Sequence, residues 1–172
     1  MHHILINEKQ YKHINFNINC KSELSTIFEI MSRIDVPGIK ISKDLLIHSI
    51  IELINNSICA HNENNISDPV KIRFSIENED LQIIIRDRGK GFDVETLPFN
   101  LNDPVSAIDI NGKNFQDYRE KYNYKRFGTG LFNAKKTFDE FELNFFEING
   151  NAVPYNSPKK DGTMIKMRLK NK

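Results

Sequence analysis

Residues 47–61, IHSIIELINNSICAH, form an apolar run broken by one narrow polar stripe. His48, Glu52, Asn55 and Asn56 recur at helical spacing, so they fall on one face of a helix. Ser42 is a candidate N-cap, which predicts a helix from Lys43 to about His61. Its apolar residues, Leu45 to Ile47, Ile50, Ile51, Leu53, Ile54 and Ile58 to Ala60, wrap most of the circumference. The helix should therefore be largely buried, with Cys59 as a small buried hydrophobe. A solvated helix face normally carries Lys or Arg, and none occurs between Lys43 and Lys71. The stripe is thus expected to face a ligand. A carboxylate and amides suit a divalent cation with phosphates, since Mg²⁺ takes hard oxygen ligands and keeps several waters. Asn56 could supply one such oxygen, leaving Glu52 free to act as a base. His48 reads as a packed or hydrogen-bonding side chain.

Before this helix, residues 4–6 and 14–20 are β-prone, the second alternating Ile14, Phe16, Ile18 and Cys20 with asparagines. Ser22 and Glu23 can start a helix to about Arg33, with Leu24, Ile27, Phe28 and Met31 as its apolar face. After it, Val70 to Asp87 reads as a hairpin turning at Asn78-Glu79-Asp80. Asp87 shares parity with Leu81, Ile83 and Ile85, which places it on the inward face. A carboxylate there needs a donor. The exocyclic amine of adenine is one, and a cap on the Arg88-Gly89 turn is the plainer alternative. Gly89 and Gly91 permit tight turns and close backbone approach.

Residues 93–127 connect this motif to the next glycine turn, and Phe115 to Tyr122 is a candidate short helix within them. Connections far beyond about 12–15 residues are usually functional lids or disordered. The segment ends in a basic, aromatic stretch containing Lys125 and Arg126. Gly128-Thr129-Gly130-Leu131 then feeds a helix predicted over residues 130–138, and a glycine turn at a helix N-terminus is a ready anion site. Residues 141–148 and 163–169 read as two more strands, with the Thr163 hydroxyl pointing inward beside Asp87. The order β-α-α-ββ-lid-α-ββ predicts an α+β fold: a two-layer sandwich with one mixed or antiparallel sheet covered on one face by helices.

Composition bounds the function. A net charge of +1 gives no overall field for nucleic acid or anionic membrane. Cys20 and Cys59 make no disulfide framework. No run approaches the roughly 18 apolar residues of a membrane span. One domain over residues 1–172 and a cytoplasmic location are the expectations.

Taken together, Glu52-x-x-x-Asn56, Asp87-x-Gly89-x-Gly91-Phe92, Gly128-x-Gly130-Leu131 and Gly162-Thr163 resemble the Bergerat-type (GHKL, histidine-kinase-like) ATP-binding fold. Size and local wording are most similar to the stand-alone anti-sigma-factor serine/threonine kinases. Their N-box usually reads glutamate, three residues, then Asn-Ala-x-x-His; here Ser57 replaces the Ala and His61 stands one place later. Asp139-Glu140-Phe141 fits the wording that follows the second glycine motif. The lid at about residues 93–127 is longer than in that family and nearer to histidine-kinase lids.

The resemblance implies ATP and Mg²⁺ as cofactors. Asn56 would ligate the metal and Glu52 would be the general base. Asp87 would bind the adenine amine with Thr163 assisting, Gly89 and Gly91 would shape the base pocket, and Gly128 and Gly130 the phosphate side; from the residues themselves, Thr129 and Leu131 share that turn and Lys125 and Arg126 can add charge to it. It also implies phosphorylation of a small antagonist protein, a sigma factor as second partner, and a homodimer. The alternatives are a nucleotide-gated binding module without phosphotransfer and the ATP-binding piece of a split histidine kinase.

Overall fold

The computed structural model describes residues 3–123 and 128–171. In chain order the elements are β1 (Ile4–Ile6), β2 (Lys9–Tyr11), β3 (His13–Ile18), α1 (Leu24–Ser32), β4 (Ile34–Asp35) and α2 (Lys43–Glu63). They continue as β5 (Val70–Glu77), β6 (Asp80–Arg86), α3 (Lys113–Lys121), α4 (Thr129–Thr137), β7 (Glu140–Phe146), β8 (Ala152–Val153) and β9 (Gly162–Leu169). A six-stranded sheet runs β3-β5-β6-β9-β7-β8, antiparallel throughout. Helices α1, α2 and α4 join it through one hydrophobic core, so the architecture is the expected α+β sandwich.

Local sequence explains the main elements. The Ser42 side chain accepts from the Leu45 N–H and starts α2. Leu53 and Ile54 on α2 are fully buried against a sheet face that includes Ile83 and Met167. The β5–β6 hairpin turns through Asn78 and Glu79, both left-handed at φ 52° and 68°, which matches the right-handed twist of the flanking strands.

Several details differ from the sequence reading. Cys59 is exposed rather than buried, and so is Leu45. Both sit three or four residues from His48, Asn55 or Asn56, so helical periodicity puts them on the polar stripe. On α1 only Ile27 and Met31 are buried, while Leu24 and Phe28 stay exposed, and Glu23 rather than Ser22 occupies the N-cap position. His48 lies against Phe28, with ring centroids 6.3 Å apart. A small second sheet, β2-β1-β4, was not foreseen. Its strand β2 is exposed at every residue and shows no apolar alternation to read.

The connection after the first glycine motif is folded. It carries two 3₁₀ turns, Val94–Thr96 and Val105–Ala107, besides α3. Phe99, Phe115 and Phe132 bury one another in a second core, with Phe99 stacked on Phe115 at 5.8 Å and edge-on to Phe132 at 6.1 Å. Among the described residues, no helix is long and apolar enough to cross a membrane.

Candidate functional site

Two neighbouring residues of α2 serve two ends of one site. Asn56 points outward along the exposed stripe with Asn55, while Ser57, about 100° round the helix, is buried. Glu52, one turn earlier, is half-buried.

At the outer end, α4 starts from Gly128, which sits in the left-handed region at φ +74°. A Cβ there would come 2.7 Å from Pro98 Cγ, so only glycine makes this entry. The turn delivers Thr129, Gly130 and Leu131, all half-buried, with the open N–H groups of the helix's first turn. Gly130 lies over the stripe: a Cβ on it would approach Asn56 Nδ2 to 3.0 Å and Glu52 Oε2 to 3.7 Å. Asn133 Nδ2 donates to Glu52 Oε2 at 3.0 Å. Sequence reasoning missed Asn133, although it follows Gly130 by three residues and so shares its helix face. Lys125 and Arg126 lie outside the described residues.

At the inner end, Asp87 is 6% exposed and accepts three hydrogen bonds. Ser57 Oγ donates to Oδ2 at 3.0 Å, the Thr163 hydroxyl donates to the same oxygen, and the Gly89 N–H donates to Oδ1 at 2.8 Å. The backbones interlock as well. The Asp87 N–H donates to the Thr163 carbonyl at 3.0 Å, and a Cβ at Gly162 would lie 1.9 Å from the Asp87 carbonyl oxygen. Gly89 presses on α2, where a Cβ would meet Ala60 Cβ at 2.4 Å. Its glycine is needed for helix contact. Gly91 turns at φ +68° against Phe145.

A polar belt behind this loop holds it to the rest of the fold. His61, fully buried, accepts the Arg88 N–H at Nε2 over 2.7 Å, and its Nδ1 lies 2.9 Å from the Asp68 carbonyl oxygen. The acceptor role of Nε2 assigns the proton of the neutral ring to Nδ1. Cys20 Sγ, 3.0 Å from that Nδ1, also donates to the Asp68 carbonyl; burial pushes its thiol pKa up. The Arg88 side chain bridges Asp161 at 2.7 Å and Asp68 at 2.6 Å. The hydrogen bond from Arg88 holds the buried Asp161 carboxyl below its ordinary range against the opposing effect of burial, and Asp161 raises Arg88 in turn.

A nucleotide fits these residues. An ionised carboxylate offers about four acceptor positions, so Asp87, with three filled, keeps one for a base amine. The missing side chain of Gly130 lets α4 pack closely over Asn56 and Glu52, which sets both beside a helix N-terminus suited to phosphate. Among the described residues no three His, Cys, Asp or Glu side chains gather as a metal cage. Mg²⁺ suits that donor set, because it binds through one or two protein oxygens with phosphates and water. Two of the molecule's cavities lie elsewhere. One, of about 170 Å³, is lined by residues such as Ile41, Lys136 and Leu169; the other, of about 930 Å³, lies between residues 94–102 and β7. Neither takes in Glu52, Asn56 or Asp87. The hydrogen-bond geometry rather than cavity size therefore marks the site.

Comparison with known proteins identifies a family. Residues 41–172 match the family model described as histidine kinase-, DNA gyrase B-, and HSP90-like ATPase. No curated protein matches the chain. The matched region begins just before the cap of α2 and takes in Glu52, Asn56, Asp87, both glycine turns and Thr163. The chain belongs to the family of histidine kinase-, DNA gyrase B- and HSP90-like ATPases, and carries its ATP-binding module.

Proposed function

We propose that the protein is an ATP-dependent serine/threonine protein kinase of the anti-sigma-factor type, acting with Mg²⁺ on a small antagonist protein. The observation that carries the reading is the placement of Glu52. Its carboxylate lies under Gly130 at the open end of the site, and Asn133 fixes one of its oxygens. A module that only bound nucleotide would need no positioned base there.

Asp87 orients the base through its remaining acceptor position, and the first turn of α4 holds the phosphates. Asn56 would hold Mg²⁺, which supplies charge neutralisation on the phosphates when bound. Glu52 accepts the proton of the partner's hydroxyl. That oxygen forms a bond to the γ-phosphorus in line while the bond to the β–γ bridging oxygen breaks, and ADP leaves with the bonding pair. Most of the rate comes from positioning and charge stabilisation. A sigma factor as second partner, a homodimer and a cytoplasmic setting complete the proposal.

The test is incubation with γ-labelled ATP, Mg²⁺ and purified antagonist-type partners. Acid-stable label on a partner serine or threonine, lost on Glu52→Gln, supports the reading. ATP binding with no transfer to any partner, unchanged by Glu52→Gln, replaces it with the nucleotide-gated module. Acid-labile, base-stable label points to histidine phosphorylation.

A further inference from the structure

The face of the six-stranded sheet turned away from the helices carries two kinds of cation. Register places its outward residues in rows across the strands. One row aligns Ser75, Gln82, Arg168 and Glu140. There Arg168 is surrounded by acids, with Glu77 at 4.0 Å, Asp80 at 3.8 Å and Glu140 at 3.7 Å. This cation is neutralised by its own fold.

The next two rows are different. One aligns Arg73, Ile84 and Lys166, and the other Lys71, Arg86 and Met164. Lys71 stands directly opposite Arg86, a like-charge cross-strand pair that costs stability. Among the described residues none of these four cations forms an ion pair; Glu142 stands opposite Lys166 in register without reaching it. Lys71 and Arg73 are exposed, and Arg86 and Lys166 half-exposed. The Arg86 guanidinium is held 3.9 Å above the centre of the Phe146 ring, which fixes its direction without neutralising it. With a net charge of only +1 over the chain, four unpaired cations on adjacent strands are a local concentration.

We propose that this face is a docking surface for an acidic protein partner, separate from the nucleotide site. The occupant follows from what lies between the charges. Ile84 and Met164, both half-buried, are diagonal neighbours on β6 and β9; Arg73, Arg86 and Lys166 flank Ile84, and Arg86 and Lys166 border Met164, which has Asn144 on its other side. An apolar centre with a charged rim is the anatomy of a protein interface. A nucleic-acid backbone makes no use of such a centre. Single strands also need exposed rings for stacking, and Phe146, opposite Gly162 one step beyond these rows, is buried beneath Arg86. Cations about 5 Å apart across strands and about 7 Å apart along them match carboxylates on a strand or on successive turns of a helix. The surface does not depend on phosphotransfer.

The probe is a synthetic peptide alternating Glu with Leu or Val, titrated into the full chain in low salt. Binding should map to backbone amides of β5, β6 and β9, and weaken about tenfold or more in the variant K71E/R73E. The control K9E/K43E, two exposed lysines elsewhere, should bind as the parent does. ATP affinity, read separately, should not change in either. If K71E/R73E fails to fold, K71Q/R73Q replaces it with the same direction of effect. Equal binding by parent and either patch variant overturns the proposal. So does tighter binding of a duplex DNA oligonucleotide than of the peptide at the same ionic strength.

Discussion

On the proposed reading, the two ends of the nucleotide site are built on opposite terms. At the base end, Asp87 is buried and holds three hydrogen bonds, and glycines at 89 and 162 let backbone and helix meet at distances no Cβ allows. At the phosphate end, Asn56 is exposed, Glu52 is half-buried with one amide partner, and the missing side chain of Gly130 lets α4 come close to both. The first end is part of the fold's core; the second lies at its surface. Substitutions should therefore separate stability from chemistry according to which end they touch.

The sharpest contrast is between the two carboxylates. Glu52→Gln keeps the shape and the Asn133 contact but cannot take a proton, so ATP affinity should hold within about twofold while transfer falls by about 10²–10⁴-fold. Asp87→Asn replaces an acceptor with an amide that faces two hydroxyl donors. It should lose ATP binding outright and also lower folding stability by about 1–3 kcal/mol. Titration calorimetry with ATP and urea unfolding of both variants decide the matter. Equal losses of affinity in the two would erase the distinction between the ends.

A methyl group sharpens the same line. Gly162→Ala drives a Cβ into the Asp87 carbonyl at 1.9 Å, where backbone must move. We expect a cost of about 3 kcal/mol or more, read as a lowered urea midpoint. Gly130→Ala meets the end of the Asn56 side chain at 3.0 Å, which can swing away. That variant should fold with nearly parental stability and lose phosphate-dependent affinity, so AMP should bind about as before while ATP does not. An unfolded Gly130→Ala or an unaffected Gly162→Ala would reverse the assignment.

How far the sequence carried this picture depends on the range of each signal. Helix α2, the β5–β6 hairpin and the inward placement of Asp87 rest on periodicity within a few residues, which tertiary packing reinforces. Thr163 was readable by the same parity on β9. The second core was not, because Phe99, Phe115 and Phe132 come from segments separated by Pro104, a 3₁₀ turn and the second glycine turn, with no shared period. The salt-bridged belt was hidden too. Arg88 and Asp161 lie far apart in sequence, and a polar loop gives no hint of which charge it buries. Cys59 shows the opposite error: residue type suggested burial, while its spacing from Asn55 and Asn56 already placed it on the open stripe.

That belt gives the base end a sensitivity to acid. Asp161 has its folded pKa depressed by the hydrogen bond from Arg88. A depressed carboxyl contributes stability that is present above its unfolded value, about 3.9, and is lost as pH falls through the folded value. Urea midpoints of the parent should hold above about pH 5 and decline below about pH 4. Asp161→Asn should be less stable at neutral pH, with the two curves converging in acid. Parallel curves would remove Asp161 from the account.

The smallest expected effect is the finest probe of the comparison. Ser57 stands beside Asn56 in sequence but serves the other end, donating to Asp87 at 3.0 Å from a buried position. In Ser57→Ala, Oδ2 keeps the Thr163 hydroxyl and Oδ1 keeps the Gly89 N–H, so no donor or acceptor is stranded. The stability cost should be about 1 kcal/mol, the net worth of one hydrogen bond. The freed acceptor position on Oδ2 gives Asp87 a second place to take a donor from the base. ATP should bind within a few-fold of the parent, and discrimination against bases lacking the exocyclic amine should narrow. A transfer defect in Ser57→Ala at saturating ATP would mean that the two ends are coupled through this turn of α2, since the removed oxygen hydrogen-bonds to Asp87 at the base end.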